Sequence, residues 1–251
     1  MIMFGNNFDK VAEYYNNNAH AQKIAAKRLI EILKGMGESN LQSILELGAG
    51  NGILSNLIKN NFDYENIIST DLAYNFLKFN GEPLKVQCNI SKLPFKNQSF
   101  DNVISSSTLQ WIDDLDKLLK EIKHVGKKSF KGAFSIFLKG TFYEMDKVSK
   151  LTGFGNILAM KESRYYLENF YKHGFNVDFC HEEKHTIFFD SVREFLNSHK
   201  RTGATVKAKK PTTKSNYNSF LKYYKKLFSI KNKIPVSYNI GYYIITKQAG
   251  K

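Results

Sequence analysis

The residues with the most chemistry in the chain are Glu46-Leu-Gly-Ala-Gly-Asn-Gly52 and, some 23 residues past Gly48, Asp71. Glycines at 48, 50 and 52 let the backbone pass close beneath a ligand, where any Cβ would collide. The turn feeds a helix N-terminus, which attracts a negative group. Asp71 closes the apolar run Asn66-Ile-Ile-Ser-Thr70, and a carboxylate there can accept both hydroxyl hydrogens of a ribose. Glycine turn and acidic strand end together point to a nucleoside ligand.

A dinucleotide fingerprint needs a third glycine at position 53, where Ile53 stands. The spacing is GxGxG, with Glu46 ahead of it. A carboxylate there repels a pyrophosphate and suits a cation, which points to S-adenosylmethionine with its positive sulfonium and ammonium. The plainer alternatives are a glycine turn without a ligand and a structural role for Glu46. Further on, Cys88-Asn-Ile-Ser-Lys-Leu-Pro-Phe95 and Ser99-Phe-Asp-Asn-Val-Ile-Ser105 look like the third and fourth strand ends of a class I methyltransferase. Such enzymes often carry Asp before Ile to accept the adenine amino hydrogen. Here Asn89 precedes Ile90, and an amide oxygen accepts that bond without charge assistance. The expected cofactor set is Gln22, Glu46, Gly48, Gly50, Gly52, Asp71, Leu72, Asn89, Ile90 and Ser105. Enzymes that methylate base amines show Asn/Asp-Pro-Pro-Tyr/Phe after the fourth strand. Ser105-Ser-Ser-Thr-Leu-Gln-Trp111 stands there instead.

The elements that must position these residues alternate. Strands are expected at 43–47, 66–70, 84–88, 100–105 and 132–138, with helices at 8–34, after Gly52, at 72–79 and at 113–124. That order predicts a parallel sheet with helices on both faces and a ligand at the carboxyl ends of the strands. Beyond Leu138 the pattern changes to helices near 165–173, 192–200 and 217–228. Strands at 176–189 and 237–246 form an antiparallel pair closing the sheet. Residues 202–215 read as a loop. The chain is read as a single domain, 1–251, with cap elements from about 1–34 and about 140–230.

The 251 residues carry 37 Lys+Arg against 23 Asp+Glu, a net charge of +14. The surplus sits in the second half: from Phe195 to Lys233 there are basic residues and no acidic one. Such a block binds nucleic acid, an acidic membrane or an acidic protein. Codon bias toward Lys is the bland alternative, although it leaves the asymmetry unexplained. No apolar run is long enough to span a membrane. The N-terminus lacks a basic segment followed by an apolar one, so a cytoplasmic protein without a signal peptide is expected. Cys88 and Cys180 have no CxxC spacing, and no metal is expected. GxSxG and GxxxxGK[ST] are both missing, which excludes the hydrolase and triphosphatase readings.

Three segments carry a closer resemblance: Phe8 to Gln22, Thr108-Leu-Gln-Trp111, and Phe195-Leu-Asn-Ser-His-Lys-Arg-Thr-Gly-Ala-Thr205. They resemble the N-terminal helix, the loop after the fourth strand and the cap of the malonyl-acyl-carrier-protein O-methyltransferases of biotin synthesis. Ile234-Pro-Val-Ser-Tyr238 fits the approach to their last strand. Asn89 for Asp, and Ala49 where the family often has Cys, are departures. The resemblance implies a Rossmann-like class I fold, with a mostly parallel seven-stranded sheet and a helical cap. It also implies methyl transfer from S-adenosylmethionine to the free carboxyl of a malonyl thioester. A carboxylate is ionised at neutral pH, so no general base is needed. Lys200, Tyr15 and Arg201 are expected to hold the anion, Trp111 to wall its pocket and Gln22 to reach the methionine end of the cofactor. Acyl carrier proteins are acidic, so a cationic docking face is expected at Lys207, Lys209, Lys210, Lys214, Lys222, Lys225 and Lys226. The competing readings are another small-molecule or RNA methyltransferase sharing only the cofactor domain, and an RNA-binding protein with a degenerate fold.

Overall fold

The strands of the first half are short and apolar because both of their faces are covered. β1 (Ser43–Leu47) is buried at all five positions, as expected for a central parallel strand. It is flanked by β2 (Asn66–Asp71) and β4 (Phe100–Ser106), both parallel to it. β3 (Leu84–Gln87) pairs parallel with β2, and β5 (Gly126–Phe137) with β4. β6 (Phe175–Phe189) and β7 (Ile234–Lys247) pair antiparallel, and β7 also pairs antiparallel with β5. In this computed structural model, which describes residues 11–204 and 212–248, the seven-stranded sheet runs β3-β2-β1-β4-β5-β7-β6. The chain order reverses between β1 and β4. Connections there leave toward opposite faces, so a crevice opens beyond the carboxyl ends of the strands.

Nine helices among the described residues cover the sheet. They are α1 (Ala12–Asn18), α2 (His20–Gly35), α3 (Ile53–Lys59), α4 (Tyr74–Phe79), α5 (Leu115–Val125), α6 (Tyr143–Thr152), α7 (Ser163–Lys172), α8 (Val192–Arg201) and α9 (Lys214–Phe228). Two cores result. On one face, α2, α3, α6, α8 and α9 bury Leu29, Ile58, Val148, Phe195 and Phe220 against Ile44, Ile104 and Ile244. On the other, α5 and α7 bury Leu118, Leu119 and Phe170 against Leu45, Val103, Phe134 and Ile245. Neighbouring strand residues such as Ile44 and Leu45 serve opposite cores, the two-residue alternation of a strand. None of the described helices is long and apolar enough to cross a membrane.

Several boundaries differ from the sequence reading. The helix expected over 8–34 is two helices, interrupted at Ala19 (φ −82°, ψ 48°); the run Asn16-Asn-Asn18 before it has low helix propensity. The break lets α1 leave the sheet face and pack against α4 and α8, while α2 stays in the core. The expected cap therefore divides. α1 lies at the site, whereas α2, α7 and β6 belong to the main layers. β5 begins at Gly126 rather than 132: Lys127, Lys128 and Lys131 disguise its first six residues, of which only Gly126 and Phe130 are buried. α6 was not expected: its N-cap, Phe142, is left-handed at φ 60° and supplies no capping oxygen. Buried Glu144 secures it, accepting the backbone N–H (2.9 Å) and hydroxyl (2.5 Å) of Ser237 on β7.

Candidate functional site

The turn after β1 is built by hydrogen bonds to β2. The Ala49 N–H donates to Thr70 O (2.8 Å), and the Thr70 hydroxyl to Glu46 O (2.7 Å). The Gly50 N–H donates to Asp71 Oδ2 at 2.9 Å, and the Ala73 N–H to Asp71 Oδ1 at 2.8 Å. Gly48 has φ +67°, and a Cβ on it would lie 2.3 Å from Thr108 Oγ1; the loop after β4 can seat against the turn only over a glycine. A Cβ on Gly50 (φ +54°) would find only Phe76, at 3.8 Å, so the backbone is bare on that side. Asn51 ties the turn to the cap, donating to Ala12 O on α1 (2.5 Å).

Above the turn lies a cavity of about 1330 Å³, partly open to solvent. Of the expected cofactor residues, Gln22, Gly48, Gly50, Asp71, Leu72 and Ile90 line it. Tyr15 and Trp111 line it too, Tyr15 with its ring 4.8 Å from Phe76. Burial, then the charge of Asp71, raises the Tyr15 pKa and keeps its hydroxyl protonated. Cys88 also faces the cavity, and burial lifts its thiol to about 11, so it is not a nucleophile at neutral pH. Ser106, Ser107 and Thr108 contribute where the sequence reading placed Ser105.

Other expected residues lie elsewhere. Glu46 does not face a cationic ligand. It is 1% exposed behind the turn, accepting the hydroxyls of Ser55 (2.5 Å) and Ser69 (3.2 Å). Burial drives its pKa up to about 8 despite those bonds. Its strand alternation turns it toward α3, so its role is to anchor α3 and β2 beneath the turn. Gly52 is the left-handed N-cap of α3 and positions the turn without lining the cavity. Ser105 is fully buried, donating to Leu47 O (2.6 Å). Asn89 is exposed, its amide oxygen already taken by the Ser91 N–H (2.9 Å) in a local turn. Lys200 and Arg201 are exposed and outside the cavity wall. Helical spacing explains it: Phe195, Ser198, His199 and Thr202 share the inward face of α8 and its C-cap, and 200 and 201 point away. Lys207, Lys209 and Lys210 lie outside the described residues.

The far end of the cavity is aromatic. Phe137, Phe142, Phe189, Phe195 and Tyr238 line it with His199 and Ile157. The rings of Phe142 and Tyr238 meet edge-on at 5.1 Å. These residues come from β5, the approach to α6, β6, α8 and β7, so no local spacing marks them. Only the cap segment 195–205 carried a signal. Among the described residues no cluster of His, Cys, Asp and Glu is placed to hold a metal ion. The near end has room for an adenosyl group beside the open Gly50 backbone, the Asp71 carboxylate and Ile90.

Residues 45–132 match the family model described as a methyltransferase domain. The malonyl-[acyl-carrier protein] O-methyltransferase of Calditerrivibrio nitroreducens is 27% identical over 248 residues, covering 98% of this chain and 97% of that protein. Its namesake from Chlorobium phaeovibrioides is 26% identical over 266 residues, covering 98% and 96%. Among solved structures, the YcgJ protein of a Bacillus has a TM-score of 0.60 at 13% identity, covering 89% of this chain and 100% of that one. Phosphoethanolamine N-methyltransferase 2 of Haemonchus contortus, in complex with S-adenosyl-L-methionine, has a TM-score of 0.56 at 20% identity, covering 89% and 53%. The fold is the Rossmann-like class I methyltransferase fold, and the chain is an S-adenosylmethionine-dependent methyltransferase.

Two outcomes follow from this geometry. Asp71→Ala weakens adenosylhomocysteine binding by about 1.5–3 kcal/mol, as for hydrogen bonds to a charged group; unchanged calorimetric affinity rejects the ribose role. Glu46 bears on stability. A carboxyl whose pKa rises on folding favours the folded state while protonated. That contribution is full below its ordinary value of 4.5 and is lost as the pH climbs to about 8. Urea midpoints of the wild type therefore decline across that window, and Glu46→Gln flattens the decline. An equal slope in the variant would show that Glu46 is not its source.

Proposed function

We propose that this methyltransferase transfers its methyl group to the free carboxyl of a malonyl thioester on an acyl carrier protein, giving a methyl ester that primes pimelate and biotin synthesis. The observation that carries the reading is the aromatic end of the cavity, whose described residues offer walls and neutral hydrogen-bonding groups and include no side chain suited to remove a proton at neutral pH. Burial lowers the pKa of His199 to about 4, making it a weak base, and Tyr15 is held protonated. An acceptor that arrives already ionised needs neither. The names of the full-length relatives support the same acceptor.

S-adenosylmethionine supplies an electrophilic methyl carbon, so a carboxylate oxygen forms the new C–O bond while the sulfur keeps the electron pair of the bond that breaks. The chain's residues bind, align and shield. Asp71 and the bare Gly50 backbone hold the adenosyl end. Trp111 and Phe137 wall the reacting region, and Phe142, Phe195 and Tyr238 keep water from the acyl chain. A dry pocket favours the approach of an anion to a cation, since charge is lost as the bond forms. Alignment of oxygen, carbon and sulfur supplies much of the acceleration.

The outer face suits an acidic partner. α9 shows Lys214, Lys222, Lys225 and Lys226 to solvent beside exposed Tyr223 and Leu227, while its other side is fixed by Phe220 and Tyr224 in the core. The helix is also tied at its start, where Asn216 Nδ2 donates to Thr152 O on α6 (2.6 Å). Its charges therefore sit on a rigid support.

The rate per folded enzyme is expected to stay nearly flat from about pH 6 to 8, because the acceptor carboxylate is ionised throughout. The product should be cleaved by mild alkali, as an ester is, and an alkali-stable product points to nitrogen or ring methylation. Reversing Lys222, Lys225 and Lys226 to Glu raises KM for malonyl-carrier protein in a salt-sensitive way and leaves turnover of a small malonyl thioester unchanged. If the triple variant keeps its KM but loses RNA affinity, the face binds nucleic acid instead.

A further inference from the structure

α8 presents two kinds of residue at its C-terminal turn. Lys200 and Arg201 go to solvent, and His199 goes to the cavity. The imidazole stands edge-on to Phe142 with centroids 4.8 Å apart, and lies 6.1 Å from Phe195. Its backbone is fixed by the Thr202 hydroxyl, which donates to His199 O at 2.7 Å. No side chain among the described residues hydrogen-bonds the ring, which packs against Phe142 and Phe195. The ring is half-buried and lines the cavity, so a ligand there can supply a hydrogen bond that the protein does not.

We propose that His199 is the residue that hydrogen-bonds the acyl acceptor in the aromatic end of the cavity. The assignment rests on the functional reading above, and it gives His199 the place that charge alone gave to Lys200. Low-dielectric surroundings keep the ring neutral near pH 7, so it presents one N–H donor and one acceptor nitrogen. A neutral N–H can orient a carboxylate or thioester oxygen while withdrawing less electron density than an ammonium in direct contact. A carboxylate oxygen then keeps a lone pair to attack the methyl carbon. Phe142 and Phe195 fix the ring's plane, and with it the direction of the N–H.

The test compares wild type, His199→Phe and His199→Gln. Adenosylhomocysteine affinity is measured by calorimetry. Binding of a malonyl thioester is measured on the adenosylhomocysteine complex, with KM and kcat alongside. His199→Phe keeps the aromatic packing and should bind the malonyl thioester at least tenfold more weakly, with cofactor affinity within twofold of wild type. His199→Gln restores a donor and should recover much of the loss. In the wild type, the ring 15N resonances of His199 should shift when the malonyl thioester binds. That last measurement decides the matter if His199→Phe fails to fold. Wild-type acyl affinity in His199→Phe, or ring resonances that ignore the thioester, overturns the assignment and leaves the functional reading standing. A wild type that neither binds nor methylates the malonyl thioester removes both.

Discussion

The site depends on one hydrogen bond, from the Gly50 N–H to Asp71 Oδ2 at 2.9 Å. It joins the turn after the central strand to the end of its neighbour β2, beside the point where the chain order reverses between β1 and β4. Gly50 is left-handed there, and the other carboxylate oxygen of Asp71 accepts the Ala73 N–H, so both oxygens hold backbone in the cavity wall. From this junction Asn51 reaches up to α1 and Thr108 lies down on Gly48. The turn, the cap and the loop after β4 are thereby held in one arrangement. A ligand that bonds to Asp71 addresses all three.

The cavity and the outer surface divide the electrostatics between them. Inside, three titratable groups of the wall are held neutral: His199 by a lowered pKa, Tyr15 and Cys88 by raised ones. Burial is the leading cause each time. Outside, α9 keeps its ammonium groups in water, where they attract over about a Debye length and cost little to maintain. The ammonium groups of α9 thus stand outside the cavity wall.

The local signals were legible and the distant ones were not. GxGxG followed by an acid at a strand end identified Gly48, Gly50 and Asp71, because turn geometry and strand alternation act over a few residues. The same logic failed at Glu46, whose type suggested a ligand contact while its strand phase sends it to Ser55 and Ser69. Asn89 failed for a related reason: a short amide satisfies the N–H two residues on before it reaches any ligand. Lys200 was expected from its charge and from the cap resemblance, and helix phase turns it to solvent and His199 to the cavity. Phe137, Phe142 and Phe189 come together only when three separate elements are folded, so nothing along the chain announces them.

Trp111 is the only tryptophan in the chain, and the short 3₁₀ turn Leu109–Trp111 sets it half-buried in the cavity wall. Indole emission responds to the polarity and water content of its surroundings. With no second indole to dilute the signal, the intrinsic fluorescence of this protein reports on a single place. The molecule carries its own optical gauge in the wall of that cavity.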